Sequence, residues 1–280
     1  MRNIGYRIRL PTELNEQKEF IIRYSCYFNT FEVKVKDNII CKSCINNIVM
    51  LAKRYLITVP SFHIIKDALY NQISLEKSKI FIKNLKEVES DLPIVLVTHY
   101  LPKKVYNSEF SKEINNSNFI LVLENIEVNE DILDYLDGLK NTATILGAKV
   151  CLDIGHLLFS IYKCKENETQ ILGKIANDTW WKENVVEIHL HDFDLQGCHL
   201  NIGKGNIDFR LIAPFINIFP DVSIILETTI DDLSVQGIAE VEMLIEVLAK
   251  YDNMRNFWHW ANCTFTSISV WKVISIWELQ

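Results

Sequence analysis

The chain has 280 residues, a length that suits one large α/β domain and is short for three separate domains. Hydrophobic residues make up 49% of the sequence, so a large core can form without disulfides or a structural metal. The formal net charge is −7 and no lysine- or arginine-rich run occurs, which argues against a general nucleic-acid or anionic-membrane partner.

The seven cysteines are odd in number and scattered, which indicates free thiols in a reducing cytosol. The pair Cys41 and Cys44 has no second CxxC motif to accompany it, and we interpret it as structural. The first ten residues lack the apolar core of a signal peptide, and no stretch approaches the roughly 20 apolar residues needed to span a bilayer. The sequence therefore predicts a soluble, cytoplasmic protein.

Short β-rich runs alternate with helical runs over almost the whole chain. Their starts recur about every 26–37 residues, the length of one strand–helix unit. Eight such units predict a closed (β/α)8 TIM barrel, and a doubly wound open sheet is the competing architecture. The predicted strands are Asn3–Leu10, Thr30–Lys36, Ile57–Ile64, Leu92–Tyr100, Asn118–Asn125, Ala148–Ile154, Val185–Asp192 and Asp221–Thr228.

Helices are predicted at Ser74–Ser90, Ile126–Leu146 and Asp231–Tyr251 from apolar residues three and four apart. Gly147 is a plausible stop for the second of them. We assign residues 1–251 to a single barrel domain and residues 252–280 to a C-terminal extension that holds four of the six tryptophans. This tail either packs on the outside of the barrel or forms a subunit contact, as in a homodimer.

Histidines are concentrated at one end of the predicted strands. Only His259, in the tail, lies away from a strand end. Because the carboxyl ends of the strands and the loops after them form the active-site mouth of a barrel, the other six are candidate site residues. They are His63, His99, His156, His189, His191 and His199.

Three acids close runs of apolar residues at the same end: Glu124, Asp153 and Glu227. An acid in such a place is costly to bury without a partner. A divalent cation offsets that cost for several carboxylates at once, and neutral imidazoles add nitrogen ligands. Mixed ligation of this kind suits Zn, Mn, Fe or Co, with Mg as a further choice if few histidines bind. Each residue alone also has an ordinary structural interpretation, and it is their number at one barrel end that predicts a metal site.

Two spacings refine this prediction. Residues two apart on a strand share a face, so Glu187, His189 and His191 are expected to point into the barrel, with Val186 and its alternating neighbours facing the helices. Asp153 and His156 are three apart, with Gly155 between them giving the chain room to turn.

The motifs LEN at Glu124, CLDIGH at Asp153–His156, HLHD at His189–Asp192, HLNIGKGNIDF at His199–Phe209 and LET at Glu227 resemble those of the xylose isomerase-like TIM barrel superfamily. That group contains sugar and sugar-phosphate isomerases and epimerases and the zinc-dependent AP endonucleases of the endonuclease IV type. The resemblance covers about residues 118–228 and weakens over the first 90 residues.

By position, the resemblance implies Glu124, Asp153, His189 and Glu227 as the metal ligands. It implies His156 as a substrate or second-metal contact. His63, His99 and His199 resemble the extra ligands of the endonuclease branch, and His191 is a further candidate for a metal or substrate contact. That branch normally has an aspartate two residues before the histidine that matches His199, and here the residue is Gly197.

Two functions follow from the resemblance. In an isomerase or epimerase of a small sugar or sugar phosphate, Glu124 and Glu227 are catalytic and move a proton beside a carbonyl, with His156 in contact with the substrate. In the alternative, a zinc-dependent phosphodiester hydrolase, the metal ions activate water for attack on a small-molecule phosphodiester. The surplus of histidines favours hydrolysis, whereas the acidic charge and Gly197 oppose a DNA substrate.

Arg7 and Arg9 lie at the end of the first predicted strand. An arginine in this place is suited to hold a substrate phosphate or carboxylate, and it is equally suited to be a surface charge.

Overall fold

The structure is a computed structural model that describes residues 4–8, 30–34, 61–64, 72–86, 94–102, 118–228 and 237–251, with a few single positions between them. Arg9, the Cys41 and Cys44 pair and the tail 252–280 lie outside the described residues. None of the described helices is both long and apolar enough to cross a membrane.

Eight strands form a closed barrel in which each strand pairs with its neighbours in parallel. The closed order excludes the open sheet and confirms the predicted fold, and all eight strands lie inside the predicted ranges. The barrel strands are β1 (Ile4–Ile8), β2 (Phe31–Lys34), β3 (Ser61–His63), β4 (Ile94–His99), β5 (Phe119–Glu124), β6 (Lys149–Asp153), β7 (Val185–Leu190) and β10 (Ser223–Leu226).

Seven helices are described outside the strands. They are α1 (Gln72–Lys86), α2 (Ile132–Leu146), α3 (Ile154–Cys164), α4 (Glu168–Asn177), α5 (Thr179–Asn184), α6 (Phe209–Asn217) and α7 (Ile238–Lys250). Helix α2 begins six residues later than predicted because the Asp131 carboxylate accepts the first free backbone N–H groups and fixes the start there. It ends at Gly147, which has the left-handed φ of 62° that glycine adopts without strain, as predicted.

A short antiparallel ribbon, β8 (Asp192–Phe193) and β9 (Cys198–Leu200), follows β7 and was not predicted. The loop after it wraps around the buried Asp192 carboxylate, which accepts backbone N–H groups from Gly203, Gly205 and Ile207 at 2.9–3.1 Å. A Cβ at Gly205 would lie 2.4 Å from an Asp192 oxygen, so the glycine is needed for this close approach. The backbone N–H groups of this loop are thus occupied by the Asp192 carboxylate.

Apolar side chains fill two places. The larger core lies between the strands and the helices, and a small cluster of Val97, Val122 and Cys151 is joined by Val186. The prediction that Val186 faces the helices is therefore wrong. The pairing of β6 with β7 shifts by one residue at this point, so Val186 is the extra residue of a β-bulge and leaves the strict alternation.

Candidate metal centre

The strand register brings the predicted site residues together at the carboxyl end of the barrel. His99 pairs with Glu124 across β4 and β5, and Asp153 pairs with His189 across β6 and β7. Glu227 directly follows β10, and its backbone N–H donates to the Leu190 carbonyl at 3.0 Å. The barrel thus places at one mouth residues that lie as much as 128 positions apart in the chain, from His99 to Glu227.

Glu124, Asp153, His189 and Glu227 form what we call the carboxylate cluster. Each residue offers one donor atom, and these four atoms all lie within 4.8 Å of one another. His189 Nδ1 lies 2.6 Å from Glu124 Oε1 and 2.7 Å from Glu227 Oε1. Three carboxylates and one imidazole around one point are a donor set for a hard or borderline divalent cation such as Mn²⁺, Zn²⁺ or Co²⁺.

Asp153 is held in place from two sides. Its backbone N–H donates to the Asn125 side-chain oxygen and its carbonyl accepts from the Asn125 amide, both at 2.8 Å. Its carboxylate caps α3, accepting the His156 backbone N–H at 2.7 Å through Oδ1. The second oxygen, Oδ2, is buried and has no hydrogen-bond partner among the described residues. A buried carboxylate oxygen left unpaired in this way is what a bound cation would satisfy.

His63 and His99 both approach Glu124 from the far side of the carboxylate cluster. Their Nε2 atoms lie 2.7 Å and 3.2 Å from Glu124 Oε2, so this oxygen faces the two imidazoles while Oε1 faces His189. Donor atoms of His63, His99 and Glu124 also lie within 4.8 Å of one another. The buried His99 Nδ1 has no hydrogen-bond partner in the described part of the chain.

His156, His191 and His199 form a second group on the other side of Asp153, which we call the histidine cluster. Each histidine offers one ring nitrogen, and these three nitrogens all lie within 4.8 Å of one another. His191 Nε2 is 3.3 Å from Asp153 Oδ1, and its Nδ1 is 3.0 Å from the backbone nitrogen of His199. His199 adopts a left-handed φ of 66°, which is uncommon for a residue other than glycine.

Gly155 serves this cluster in a different way from the one predicted. Its φ does not lie in the left-handed region, so it is not needed for a turn. A Cβ added to it would lie 2.3–2.6 Å from three atoms of the His191 ring. Glycine is required here because the imidazole packs directly against the backbone of α3.

Burial and charge set the protonation of the acids. Burial alone would raise the pKa of Glu124, but His189 and Arg7 outweigh it and hold that pKa well below its usual range. Burial likewise opposes ionisation of Asp153, yet His156 and His191 keep its pKa below the ordinary value. Arg7 and His189 do the same for Glu227. All three acids are therefore ionised at neutral pH.

Glu187 differs from these acids, although it lies in the same lumen. Burial, and to a lesser extent the nearby Glu32, raises the pKa of Glu187 to about 7. Its Oε1 lies 2.9 Å from His189 Nε2, and Ser61 donates a hydrogen bond to its Oε2 at 2.7 Å. A carboxyl group on the far nitrogen of a ligand histidine orients the ring toward a metal. The prediction that Glu187 and His189 share the inner face is confirmed by these contacts.

Sequence reasoning missed three residues at this site. Glu32 is a single acid between the apolar Phe31 and Val33 on β2, the same signal that identified Glu124, but no histidine follows it. Asn125 is part of the LEN motif, and its role in holding Asp153 depends on pairing across strands. Cys151 is buried within reach of Glu124 and His189, and burial raises the pKa of its thiol.

The sequence matches no protein-family model and no curated protein. Solved structures do match in three dimensions. A D-tagatose 3-epimerase-like protein superimposes with a TM-score of 0.63 at 18% identity, over 91% of this chain and 99% of that chain. A 3-keto-D-glucoside 4-epimerase from E. coli gives a TM-score of 0.60 at 13% identity, over 88% of this chain and 100% of that chain.

A family 2 AP endonuclease from Brucella melitensis matches with a TM-score of 0.52 at 10% identity, over 83% of this chain and 95% of that chain. At these identities the likeness shows the fold and not the activity. Together with a closed barrel of eight parallel strands, these matches show that the chain has the TIM-barrel fold that its sequence predicted and that these epimerases and this endonuclease share it.

Proposed function

We propose that this protein is a divalent-metal-dependent isomerase or epimerase that acts on a small sugar or sugar phosphate. The observation that carries the proposal is the carboxylate cluster, in which two ionised glutamates, Glu124 and Glu227, flank His189 at the barrel mouth. The buried Asp153 Oδ2, which has no hydrogen-bond partner among the described residues, supports a cation at this point. The epimerases among the structural neighbours share the fold and make this reaction class the natural first choice.

Glu124, Asp153, His189 and Glu227 would hold the ion. When bound, a divalent cation polarises a carbonyl or hydroxyl oxygen and makes the neighbouring C–H bond more acidic. The residues of this chain supply the proton transfer. Glu124 and Glu227 are ionised because their pKa values are lowered, so either carboxylate is able to accept a proton from carbon, and the carboxylic acid formed in that step holds the proton that is then returned to carbon.

His156 lies at the edge of this site, with Nε2 3.7 Å from Asp153 Oδ2 and a side chain that is 18% exposed. It is therefore placed to contact a substrate hydroxyl or phosphate oxygen that enters from the mouth. Burial of the lower lumen by Val97, Val122 and Cys151 excludes water from the floor of the site.

A second candidate is a zinc-dependent phosphodiester hydrolase that acts on a small molecule. One specific observation favours it: Glu124 with His63 and His99, and the histidine cluster, offer two further groups of donor atoms beside the carboxylate cluster. Neighbouring metal ions of this kind stabilise both the attacking and the leaving oxygen in phosphoester hydrolysis.

Metal content and substrate panels separate the two candidates. We would purify the protein without chelator or histidine tag, measure bound metals by elemental analysis, and assay ketoses, sugar phosphates and phosphodiesters in parallel. One tightly bound ion, with turnover of a ketose or sugar phosphate that Glu227→Gln abolishes, supports the isomerase. Two or three zinc ions with phosphodiester cleavage support the hydrolase. A protein that binds no metal after titration contradicts both.

A further inference from the structure

Arg7 on β1 stands at the centre of the site instead of facing a substrate. Its side chain is only 9% exposed. Its Nε contacts Glu32 and its Nη1 contacts Glu227, while Nη2 lies 3.4 Å from Glu124 Oε1. Three buried carboxylates therefore surround one guanidinium, and their charges outweigh burial to hold the pKa of Arg7 above its usual value.

The two ends of this guanidinium have different partners. The Nε end is anchored by Glu32, whose Oε2 accepts from Ser61 at 3.2 Å and lies 3.2 Å from His189 Nε2. The Nη end reaches Glu227 and Glu124, and Nη2 also lies 2.9 Å from His189 Nδ1. It thus touches three of the four members of the carboxylate cluster, through Glu227 Oε2, Glu124 Oε1 and His189 Nδ1.

A buried cation and a divalent metal cannot both sit at these atoms without cost. Like charges a few ångströms apart repel strongly where water is excluded. Conversely, without Arg7 and without a metal, three ionised carboxylates would be buried next to one another with little compensation. Arg7 therefore compensates the buried carboxylates in the metal-free protein, and the same positive charge repels a divalent metal at these atoms.

We propose that Arg7 is a built-in counter-cation of the carboxylate cluster, anchored on Glu32, that stabilises the metal-free protein and opposes metal binding. This inference rests on the metal site of the proposed function. The protein folds with its carboxylates already neutralised, and metal binds more weakly than the donor set alone would allow. Metal occupancy is then adjustable by the metal supply, because Arg7 retains Glu32 as a partner when the ion takes Glu124 and His189.

The test compares metal affinity and metal-free stability in protein stripped with chelator. Mn²⁺ is the probe, titrated with the electron paramagnetic resonance signal of the free ion as the readout. We expect Arg7→Gln to bind Mn²⁺ at least about tenfold more tightly than the natural chain, because one buried positive charge is gone. We expect its metal-free form to melt lower by about 5 °C or more, because Glu32 and Glu227 lose their partner.

Two variants serve as controls. Arg7→Lys keeps a positive charge but loses the three-way contact, and we expect its affinity to lie closer to that of the natural chain than to that of Arg7→Gln. Lys79→Gln removes an equal charge on the exposed face of α1 and is expected to change neither quantity. If Arg7→Gln does not fold, the double variant Arg7→Met with Glu32→Gln removes the pair together, and it too must bind Mn²⁺ more tightly.

The outcomes separate this inference from the proposed function. If the natural chain binds Mn²⁺ and a folded Arg7→Gln binds it equally or more weakly, the inference is overturned while the metal site stands. If only the variant binds Mn²⁺, Arg7 is a blocking cation, which supports the inference and contradicts metal dependence in the natural chain. If neither binds, the metal site and the inference both fall.

Discussion

The two clusters at the barrel mouth meet at Asp153, which belongs to the carboxylate cluster and contacts His191, but they differ in charge. On one side, Glu124, Glu227 and His189 surround a point to which a guanidinium is already drawn. On the other side stand three imidazoles, with ring centroids 4.2–5.1 Å apart and glycine in place of an acid at position 197. The first side is rich in negative charge and the second has almost none.

This difference indicates which side requires a cation. Buried carboxylates need a counter-charge, and the structure supplies one in Arg7. The imidazoles of the histidine cluster carry no negative charge to offset, and His191 Nδ1 accepts a hydrogen bond from the His199 backbone N–H, although the buried His156 Nδ1 and His191 Nε2 have no hydrogen-bond partner among the described residues. We therefore assign the chemistry to the carboxylate cluster and expect the histidine cluster to tune it.

The largest effect is expected from Glu227→Gln, compared with His199→Ala. Removing the Glu227 charge takes away both a metal ligand and a proton-transfer group, so kcat/KM should fall by about a thousandfold or more, together with metal content. The His199 side chain is 42% exposed, and His199→Ala should lower kcat/KM by about tenfold or less. The assay uses whichever ketose or sugar phosphate turns over in the panel. Equal losses in the two variants would place the histidine cluster in the reaction itself and favour the hydrolase.

The next effect is expected at Asn125, which supports the carboxylate cluster without belonging to it. Asn125→Ala removes two hydrogen bonds to the buried backbone N–H and carbonyl of Asp153 and should lower the free energy of unfolding by about 2–4 kcal/mol. Metal affinity should fall as well, because Asp153 is no longer held. Asn167→Ala, which removes the N-cap hydrogen bond to the Gln170 backbone N–H in α4, should cost about 1 kcal/mol and leave metal affinity unchanged. Chemical denaturation and metal titration measure both. A loss of stability in Asn125→Ala with no change in metal affinity would contradict the positioning role.

Much of this comparison was predictable from the sequence, because period-two alternation and strand rhythm reveal where strands end. Glu124, Asp153, His189 and Glu227 were predicted to lie together from their positions at strand ends, and the structure brings them together. The bulge at Val186 and the ribbon Cys198–Leu200 were not predictable, since one extra residue or a three-residue strand leaves no periodic signal.

The roles of Arg7 and Gly155 were misjudged for a different reason. Arg7 was expected to hold a substrate anion or to lie on the surface, yet its donors reach Glu32 on β2, Glu124 on β5 and Glu227 directly after β10. Gly155 was expected to permit a turn, yet it makes room for a ring that is 36 residues away in sequence, at His191. Contacts between distant strands are set by barrel closure, and a local pattern does not report them.

Gly155→Ala tests the packing of the histidine cluster and should have a smaller effect than Asn125→Ala. The new methyl group would lie 2.3–2.6 Å from the His191 ring, so the ring or the start of α3 must shift, at a cost of about 1–3 kcal/mol. Gly197→Ala is the matched control, because nothing lies within 4 Å of its Cβ position, and it should be nearly neutral. Thermal unfolding compares the two. If the cost is confined to stability and the carboxylate cluster binds metal as before, the two clusters are separable. Equal stability of both variants would show that His191 does not pack against α3 as described.

The smallest effect on stability is expected from Gly197→Asp. This variant also tests most directly whether charge distinguishes the histidine cluster from the carboxylate cluster. The open space at this position accommodates a carboxylate, and it would give the histidine cluster the negative charge that it lacks. We expect stability to change by less than about 0.5 kcal/mol and the chain to bind about one more Zn²⁺, measured by elemental analysis after dialysis against micromolar zinc.

Gly197→Asn, of the same size without the charge, should bind no more zinc than the natural chain. An extra ion in both variants would mean that the polar side chain, and not the charge, had been missing. An unchanged count in both would mean that the three imidazoles are arranged for hydrogen bonding, and that charge is not what separates the two sides of the mouth.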